Sequence, residues 1–328
     1  MLYKIIVLNV SSFGRDFPEI VTFLESNVGP VGFFRFDPDA SAEEISKVTK
    51  GAEYIILGTW PTLDAKFFEL NKSVKLVARH GLGYNNVDVE AARKAGVFVT
   101  IEYKSCEQDA VAEHTVSLLL QCAKRLNIAN EKLHDGTWLQ DRVRMMGLQI
   151  RGRTTGIIGF GNIGRRVGEI MRLGFNNRIL AYDPFIEEKD AKYFGAELVG
   201  LDYLLENSDF ISLNCNLTEE NYEIINKSTI EKMKDGALLV NCARGKLVNE
   251  HAVADAVRSG KLFGYAADVF VNEPINSDNP LLELDHVVGS PHSGVYNLTC
   301  TRMMNDKVVE DIMLMEQGKR PNEIVNGL

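Results

Sequence analysis

Short, almost wholly apolar segments alternate with amphipathic segments over the first hundred residues of the chain. The apolar segments are bounded by polar or glycine-containing turns, a pattern typical of strands that are buried on both faces. The predicted strands are residues 3–8, 31–36, 54–57, 74–78 and 97–100. Residues 42–50 and 89–95 have the apolar spacing of helices, so we predict a parallel sheet covered by helices.

A longer helical pattern covers residues 108–133, and a second alternating region follows it. Its predicted strands are residues 154–159, 179–182, 210–213, 237–240, 263–267 and 286–289, and residues 301–317 are again predicted to be helical. The chain is therefore predicted to be an α/β protein with two α/β units.

The first turn of the second unit carries the glycine pattern Gly159-x-Gly161-x-x-Gly164 between a predicted strand and a predicted helix. Such glycines permit a tight turn, let the backbone approach a pyrophosphate and let the helix pack on the strand, while the helix N-terminus attracts the anion. Asn162 and Ile163 lie in the same turn. The alternative interpretation is a glycine turn that serves packing alone.

Asp183 ends the second strand of this unit. A carboxylate there can accept hydrogen bonds from both ribose hydroxyls and would repel a 2′-phosphate, so NAD is expected rather than NADP. We predict a nucleotide-binding domain at 103–295. It is inserted into a discontinuous substrate domain formed by 1–102 and 296–328.

Composition narrows the class of protein. The net charge of −9 argues against nucleic acid as a partner, and no apolar segment approaches the length of a membrane span. The cysteines have no metal-binding or disulfide spacing, which predicts free thiols in a cytoplasmic protein and no metal site. They are Cys106, Cys122, Cys215, Cys242 and Cys300.

Polar residues follow the later strands of the second unit, where ligands bind in an open parallel sheet. Arg244 can bind a carboxylate and polarise a carbonyl, and His292 can exchange the proton that accompanies hydride transfer. Glu273 can orient the imidazole, and Asp268 can accept a hydrogen bond from the nicotinamide amide. The alternatives are a surface ion pair for Arg244, a turn at Glu273 and a simple loop at His292.

These motifs resemble the D-isomer-specific 2-hydroxyacid dehydrogenase family over nearly the whole chain. The resemblance rests on the glycine turn with Asp183 and on four further segments, which are residues 79–88, 111–114, 240–245 and 268–274, together with Pro291-His292-x-Gly294. It implies two Rossmann-like domains with a cleft between them, and a homodimer.

The resemblance also implies roles for individual residues. Arg244 would bind the substrate carboxylate and keto oxygen, His292 would be the acid/base and Glu273 its partner. Arg79 and the backbone N–H groups of Gly81, Leu82 and Gly83 would bind substrate. The alternative interpretation of this loop is a turn between strand and helix. Asn214 and Ala243 would contact the cofactor.

The chain departs from the family after the third strand of the second unit. Many relatives have His-x-Pro-Leu-Thr, whereas this chain has Asn214-Cys215-Asn216-Leu217-Thr218, so the cofactor contact there can differ. Phosphoglycerate dehydrogenases carry an arginine where this chain has Gly58-Thr59-Trp60-Pro61, which weakens the case for a phosphorylated substrate. Trp60 can line a side-chain pocket or serve packing.

The expected reaction is reversible hydride transfer between NADH and a 2-oxo acid. Phosphoglycerate dehydrogenase and glyoxylate or hydroxypyruvate reductase remain alternatives. An NAD-sensing scaffold that resembles transcriptional corepressors is the non-enzyme alternative, which the expected lack of a disordered tail disfavours.

Overall fold

Apolar strands and amphipathic helices form two separate parallel sheets in this computed structural model. The structure describes residues 3–138 and 140–328, and side chains are not described for residues 104–106. The predicted free thiol of Cys106 therefore lies outside the described residues. The chain divides into two units, one formed by Met1–Glu107 with Tyr296–Leu328 and the other by Gln108–Val295.

The first unit contains a five-stranded sheet of order β2-β1-β3-β4-β5 among the described residues. Its strands are β1 (Ile5–Leu8), β2 (Val31–Phe34), β3 (Tyr54–Leu57), β4 (Leu76–Arg79) and β5 (Phe98–Thr100). Its helices are α1 (Pro18–Asn27), α2 (Ala42–Thr49), α3 (Ala65–Leu70), α4 (Val89–Lys94) and the C-terminal α12 (Leu298–Glu316). The strands pair in parallel, and apolar side chains cover both faces of the sheet.

The second unit contains a seven-stranded parallel sheet of order β12-β11-β10-β9-β6-β7-β8, counted over residues 108–138 and 140–295. Its strands are β6 (Thr154–Ile158), β7 (Arg178–Tyr182), β8 (Glu197–Leu198), β9 (Phe210–Leu213), β10 (Ala237–Asn241), β11 (Leu262–Ala267) and β12 (Val287–Gly289). Its helices include α7 (Asn162–Phe175), α8 (Glu188–Tyr193), α9 (Leu201–Asn207), α10 (Lys227–Lys232) and α11 (Glu250–Arg258). Two apolar clusters cover the faces of this sheet, so its strands are buried, as their sequences predict.

The helical region predicted at 108–133 is two helices, α5 (Lys104–Ala123) and α6 (Leu126–His134). The break falls at Arg125, whose φ of 52° is left-handed, and the carbonyl of Ala123 accepts the N–H of Leu148 instead of continuing the helix. The predicted stretch is thus helical, but the sequence pattern gave no sign of the break because apolar periodicity does not reveal this tertiary hydrogen bond. The two-residue edge strand β8 was also missed, since so short a strand has no periodic signal.

Among the described residues, no helix combines the length and apolar character that a membrane crossing requires.

Candidate active site

The carboxyl ends of the strands in the second unit form a single edge. The register pairs Asn241 of β10 with Ala267 of β11, and Ala267 with Gly289 of β12. On the other side, Leu213 pairs with both Asn241 and Ile158. The loops after these strands, which carry the predicted site residues, therefore start level with one another.

The glycine turn after β6 has the geometry that an anion needs. Gly159 has a φ of 90°, and a Cβ there would lie 2.6 Å from the backbone nitrogen of Cys215. A Cβ on Gly164 would overlap the carbonyl oxygen of Gly159, so the helix sits tightly on the strand. Gly161, by contrast, has nothing within 4 Å of its Cβ position. The turn is thus closed on the protein side and open where a pyrophosphate would lie.

The first turn of α7 adds donors at this open position. Gly161 is the N-cap and provides no side-chain cap. The N–H groups of Asn162, Ile163 and Gly164 belong to the first turn, where a helix offers no internal acceptors. These donors and the positive end of the helix dipole fit the phosphates of a dinucleotide.

Asp183 and Asn214 lie beside this turn. Asp183 Oδ2 accepts the N–H of Phe160 at 2.8 Å, and its Oδ1 accepts the N–H of Phe185 at 2.9 Å. Each carboxylate oxygen keeps a lone pair for a ribose hydroxyl. Asn214 Oδ1 is buried and has no hydrogen-bond partner within the described part of the chain. This unpaired acceptor at the nucleotide edge also fits a bound cofactor.

Arg244 lies in a turn that the Asn241 side chain stabilises through two hydrogen bonds. Asn241 Oδ1 accepts the N–H of Ala243 at 3.0 Å, and Asn241 Nδ2 donates to the carbonyl of Arg244 at 2.9 Å. The Arg244 guanidinium donates through Nη1 to the carbonyl of Ala243 at 2.6 Å and is half-buried. The remaining guanidinium donors can bind a carboxylate in bidentate fashion.

Glu273 and His292 form the predicted pair. Glu273 Oε2 lies 2.6 Å from His292 Nδ1, and Glu273 Oε1 accepts the N–H of Phe270 at 3.1 Å. A carboxylate facing Nδ1 fixes the proton there, which makes Nε2 the ring nitrogen that exchanges a proton. Within the described residues no hydrogen bond is recorded to Nε2, and 36% of the His292 side chain is exposed.

Asp268 serves a purpose that the sequence did not indicate. Its side chain is buried and accepts hydrogen bonds from Ser290 Oγ and from the N–H groups of Ser293 and Gly294. Burial alone would raise the pKa of Asp268, but hydrogen bonds from His114, Ser290 and these backbone groups hold it below its usual value. Asp268 is therefore an anionic anchor of the His292 loop, and the expected contact with nicotinamide stays a prediction.

The predicted substrate-binding residues of the first unit have partners within that unit. The Arg79 side chain is buried, and its Nη1 donates to the carbonyls of Leu57 and His80 at 3.0 and 2.8 Å. The N–H of Leu82 donates to Glu107 Oε1 at 2.8 Å. Sequence reasoning assigned this donor to substrate and missed Glu107, for which it had no signal. Substrate contacts of Arg79 and of Gly81–Gly83 stay predictions.

The glycine turn, the Asp183 carboxylate and the unpaired Asn214 Oδ1 together form a site that fits a dinucleotide in an α/β protein. Residues 116–294 match the family model described as D-isomer specific 2-hydroxyacid dehydrogenase, NAD binding domain. The chain is 37% identical to a glyoxylate reductase of Korarchaeum cryptofilum over 80% of each protein. The chain belongs to the D-isomer specific 2-hydroxyacid dehydrogenase family.

Two further comparisons bear on length and fold. The chain is 35% identical to a D-3-phosphoglycerate dehydrogenase of Archaeoglobus fulgidus over 87% of its own length but only 54% of that relative. It thus spans about half of that protein. A D-lactate dehydrogenase of Aquifex aeolicus, solved with NAD and lactic acid, superposes with a TM-score of 0.83 at 27% identity and covers 99% of each chain.

These findings confirm the predicted family, the two-sheet α/β fold and NAD as the cofactor. The relatives matched by the chain are named as dehydrogenases and reductases.

Proposed function

We propose that the chain is an NAD-dependent D-2-hydroxyacid dehydrogenase that interconverts a 2-oxo acid and a D-2-hydroxy acid. Residues 103–295 would bind NAD, and residues 1–102 with 296–328 would form the substrate domain. The observation that carries the proposal is the 2.6 Å contact between Glu273 and His292. It lies at the same sheet edge as Arg244 and the glycine turn.

Each residue has a defined task in this proposal. Arg244 binds the substrate carboxylate and polarises the keto oxygen. NADH, when bound, supplies the hydride. His292 donates the Nε2 proton to the keto oxygen as the hydroxyl forms, and accepts it in the reverse direction. Glu273 keeps the Nδ1 proton in place and stabilises the charged ring.

A substrate panel tests the activity and separates the alternatives. NADH oxidation would be followed with pyruvate, phenylpyruvate, 2-oxoisocaproate, glyoxylate, hydroxypyruvate and phosphohydroxypyruvate. The last three correspond to relatives named as a glyoxylate reductase, a hydroxypyruvate reductase of Thermotoga maritima and a D-3-phosphoglycerate dehydrogenase. Tight NADH binding without turnover on any 2-oxo acid would favour the scaffold alternative.

Two variants test the residue roles. His292→Gln should lower kcat by about 10²–10⁴-fold, since general acid catalysis contributes that much, while NADH affinity stays unchanged. Arg244→Ala should lower kcat/KM by about 10²–10³-fold, as expected for one lost electrostatic contact to the developing charge. His251→Gln is the matched control, because His251 is exposed on α11. Wild-type turnover in His292→Gln would refute the acid/base assignment.

We further propose that the protein is a homodimer. Support comes from large apolar side chains that are exposed between residues 126 and 146 of the second unit, a composition typical of interfaces. They are Leu126, Leu133, Trp138, Val143 and Met146. Val143→Asp with Met146→Asp should convert the dimer to a monomer in light scattering, whereas Leu173→Asp, also exposed, should not.

The compartment that we propose is the cytoplasm. Among the described cysteines, Cys122, Cys215 and Cys242 are free thiols, which suits a reducing environment. Fractionation of the native cells tests this proposal.

A further inference from the structure

Three consecutive backbone N–H groups of the His292 loop donate to one residue, Asp268. The N–H of His292 donates to the Asp268 carbonyl at 2.8 Å. The N–H of Ser293 donates to Asp268 Oδ1 and that of Gly294 to Oδ2, each at 2.8 Å. The direction of the His292 side chain therefore depends on where the Asp268 carboxylate lies.

The loop needs this support because His292 has a φ of 51°. A left-handed conformation costs a residue with a Cβ about 1–2 kcal/mol, and it persists only where surrounding contacts enforce it. A loop released from Asp268 would relax and carry the imidazole away from its present direction.

Two side chains fix the Asp268 carboxylate in turn. Ser290 Oγ lies 2.6 Å from Asp268 Oδ1, and His114 Nε2 lies 2.7 Å from Ser290 Oγ. An ionised carboxylate can only accept, so the Ser290 hydroxyl donates to Asp268 and accepts from His114 Nε2. The hydrogen bonds thus run in one direction, from His114 to Ser290 to Asp268. His114 Nε2 also lies 3.4 Å from Asp268 Oδ1.

This arrangement ties α5 to the acid/base loop. His114 lies within α5, whereas Ser290 directly follows β12 and Asp268 directly follows β11. Neighbouring packing is tight, since a Cβ on Gly294 would lie 3.0 Å from Asp268 Oδ2. Small displacements of Ser290 or His114 would therefore be transmitted to the loop rather than absorbed by free space.

We propose that His114 and Ser290 are positioning residues for the acid/base His292, acting through Asp268 and the backbone of the loop. The proposal rests on the function proposed above, in which His292 exchanges the proton. Neither residue is required to touch the substrate. Their effect is to hold the imidazole where Nε2 reaches the keto oxygen, and a misplacement of about 1 Å at a reacting group can cost 10²-fold in rate.

The test uses paired variants of the full-length protein. Ser290→Ala and His114→Leu remove the hydroxyl and the ring donor, and each should lower kcat by about 10–100-fold with KM and the NADH dissociation constant within twofold. Ser290→Thr keeps the hydroxyl and His114→Gln keeps an amide donor, so both should recover most of the lost kcat. Asp268 itself is not varied because it is a predicted cofactor contact.

Two controls separate positioning from general damage. Ser117→Ala removes a hydroxyl from the exposed side of the same helix α5, where it donates to the carbonyl of Glu113, and His251→Gln removes an exposed imidazole. Both should keep wild-type kcat. Melting temperatures of all variants would be measured alongside.

The outcomes distinguish this inference from the proposed function. Wild-type kcat in Ser290→Ala and His114→Leu, with His292→Gln inactive, overturns the positioning proposal alone. A loss of kcat that the conservative variants do not recover, accompanied by a lowered melting temperature, also overturns it in favour of a purely structural role. Wild-type kcat in His292→Gln refutes the acid/base assignment on which this inference rests, whereas a wild-type protein that turns over none of the 2-oxo acids refutes the proposed function.

Discussion

Gly245 lies directly against the backbone of Phe270, so closely that a Cβ on Gly245 would overlap the Phe270 carbonyl. Gly245 follows Arg244, and the N–H of Phe270 donates to Glu273. The arginine proposed to bind substrate and the carboxylate partner of His292 are therefore connected through a close backbone contact between Gly245 and the Phe270–Val271 segment. Their spacing is set by the absence of a side chain at position 245.

Gly245→Ala should consequently impair catalysis and stability together. The new methyl group forces the two loops apart, and overpacking of this kind costs about 1–3 kcal/mol of unfolding free energy. We expect kcat/KM to fall by at least tenfold, because Arg244 and Glu273 shift relative to each other. Urea unfolding and steady-state kinetics measure the two effects. Gly174→Ala is the control, since nothing lies within 4 Å of its Cβ position.

Asp183→Ala should reduce the preference for NADH over NADPH by at least tenfold. If Asp183 binds the ribose as proposed, the variant loses the acceptor for the ribose hydroxyls and the charge that repels a 2′-phosphate. The measurement is kcat/KM for both cofactors. An unchanged ratio would contradict the assignment of Asp183 to the ribose.

His80 should make stability depend on pH in the acidic range. Burial lowers the pKa of His80 to about 4, against a partly compensating hydrogen bond between Nε2 and Asn305. Histidine in an unfolded chain has a pKa of about 6.5. Between that pH and the lower pKa of the folded state, His80 is therefore protonated in the unfolded chain but neutral in the folded protein. The free energy of unfolding should fall by about 3 kcal/mol between pH 6.5 and 4 on this account.

His80→Gln should remove that contribution, because glutamine does not titrate and can still donate to Asn305. Urea unfolding of both proteins from pH 4 to pH 7.5 gives the difference directly. If the free energy of unfolding changed with pH in the same way for wild type and His80→Gln, that result would be inconsistent with a neutral buried His80. In the control His251→Gln, the free energy of unfolding should depend on pH as it does in the wild type.

Glu102 should affect the stability of the protein with a pH dependence opposite to that of His80. Its side chain is fully buried, and neither carboxylate oxygen has a hydrogen-bond partner among the described residues. Burial raises the pKa of Glu102 well above its usual value, although the nearby Lys307 opposes the shift. The protonated form is thus favoured on folding. The contribution of Glu102 to the free energy of unfolding is fully present below a pH of about 4.3, the usual pKa of a free glutamate. This contribution is lost as the pH rises through the pKa of Glu102 in the folded protein.

Glu102→Gln should therefore stabilise the protein at pH 8, by about 1–3 kcal/mol if the buried charge is otherwise uncompensated. The gain should vanish near pH 4. Chemical denaturation at both pH values is the measurement, with Glu25→Gln on the exposed side of α1 as the control. Equal stabilities of wild type and Glu102→Gln at pH 8 would show that the folded protein accommodates the charge.

Local sequence was sufficient for the strands and the glycine turn because both depend on neighbouring residues. The strand ends also predicted which loops share an edge, and Glu273 and His292 do meet there. The break at Arg125 could not be predicted, since it depends on the distant Leu148. The hydrogen bonds that join His114, Ser290 and Asp268 could not be predicted for the same reason, because these residues belong to three elements that are far apart in the chain.

If Asp183 sets the cofactor preference as proposed, its two hydrogen bonds to the backbone limit how that preference can change. One oxygen of this carboxylate holds the N–H of Phe160, immediately after Gly159 in the glycine turn. A lineage that exchanged the acid for a neutral or basic residue would also leave a peptide group in the turn without its acceptor. A switch of nucleotide in this scaffold is therefore a coupled event, in which a second substitution must restore the turn before the new preference becomes useful.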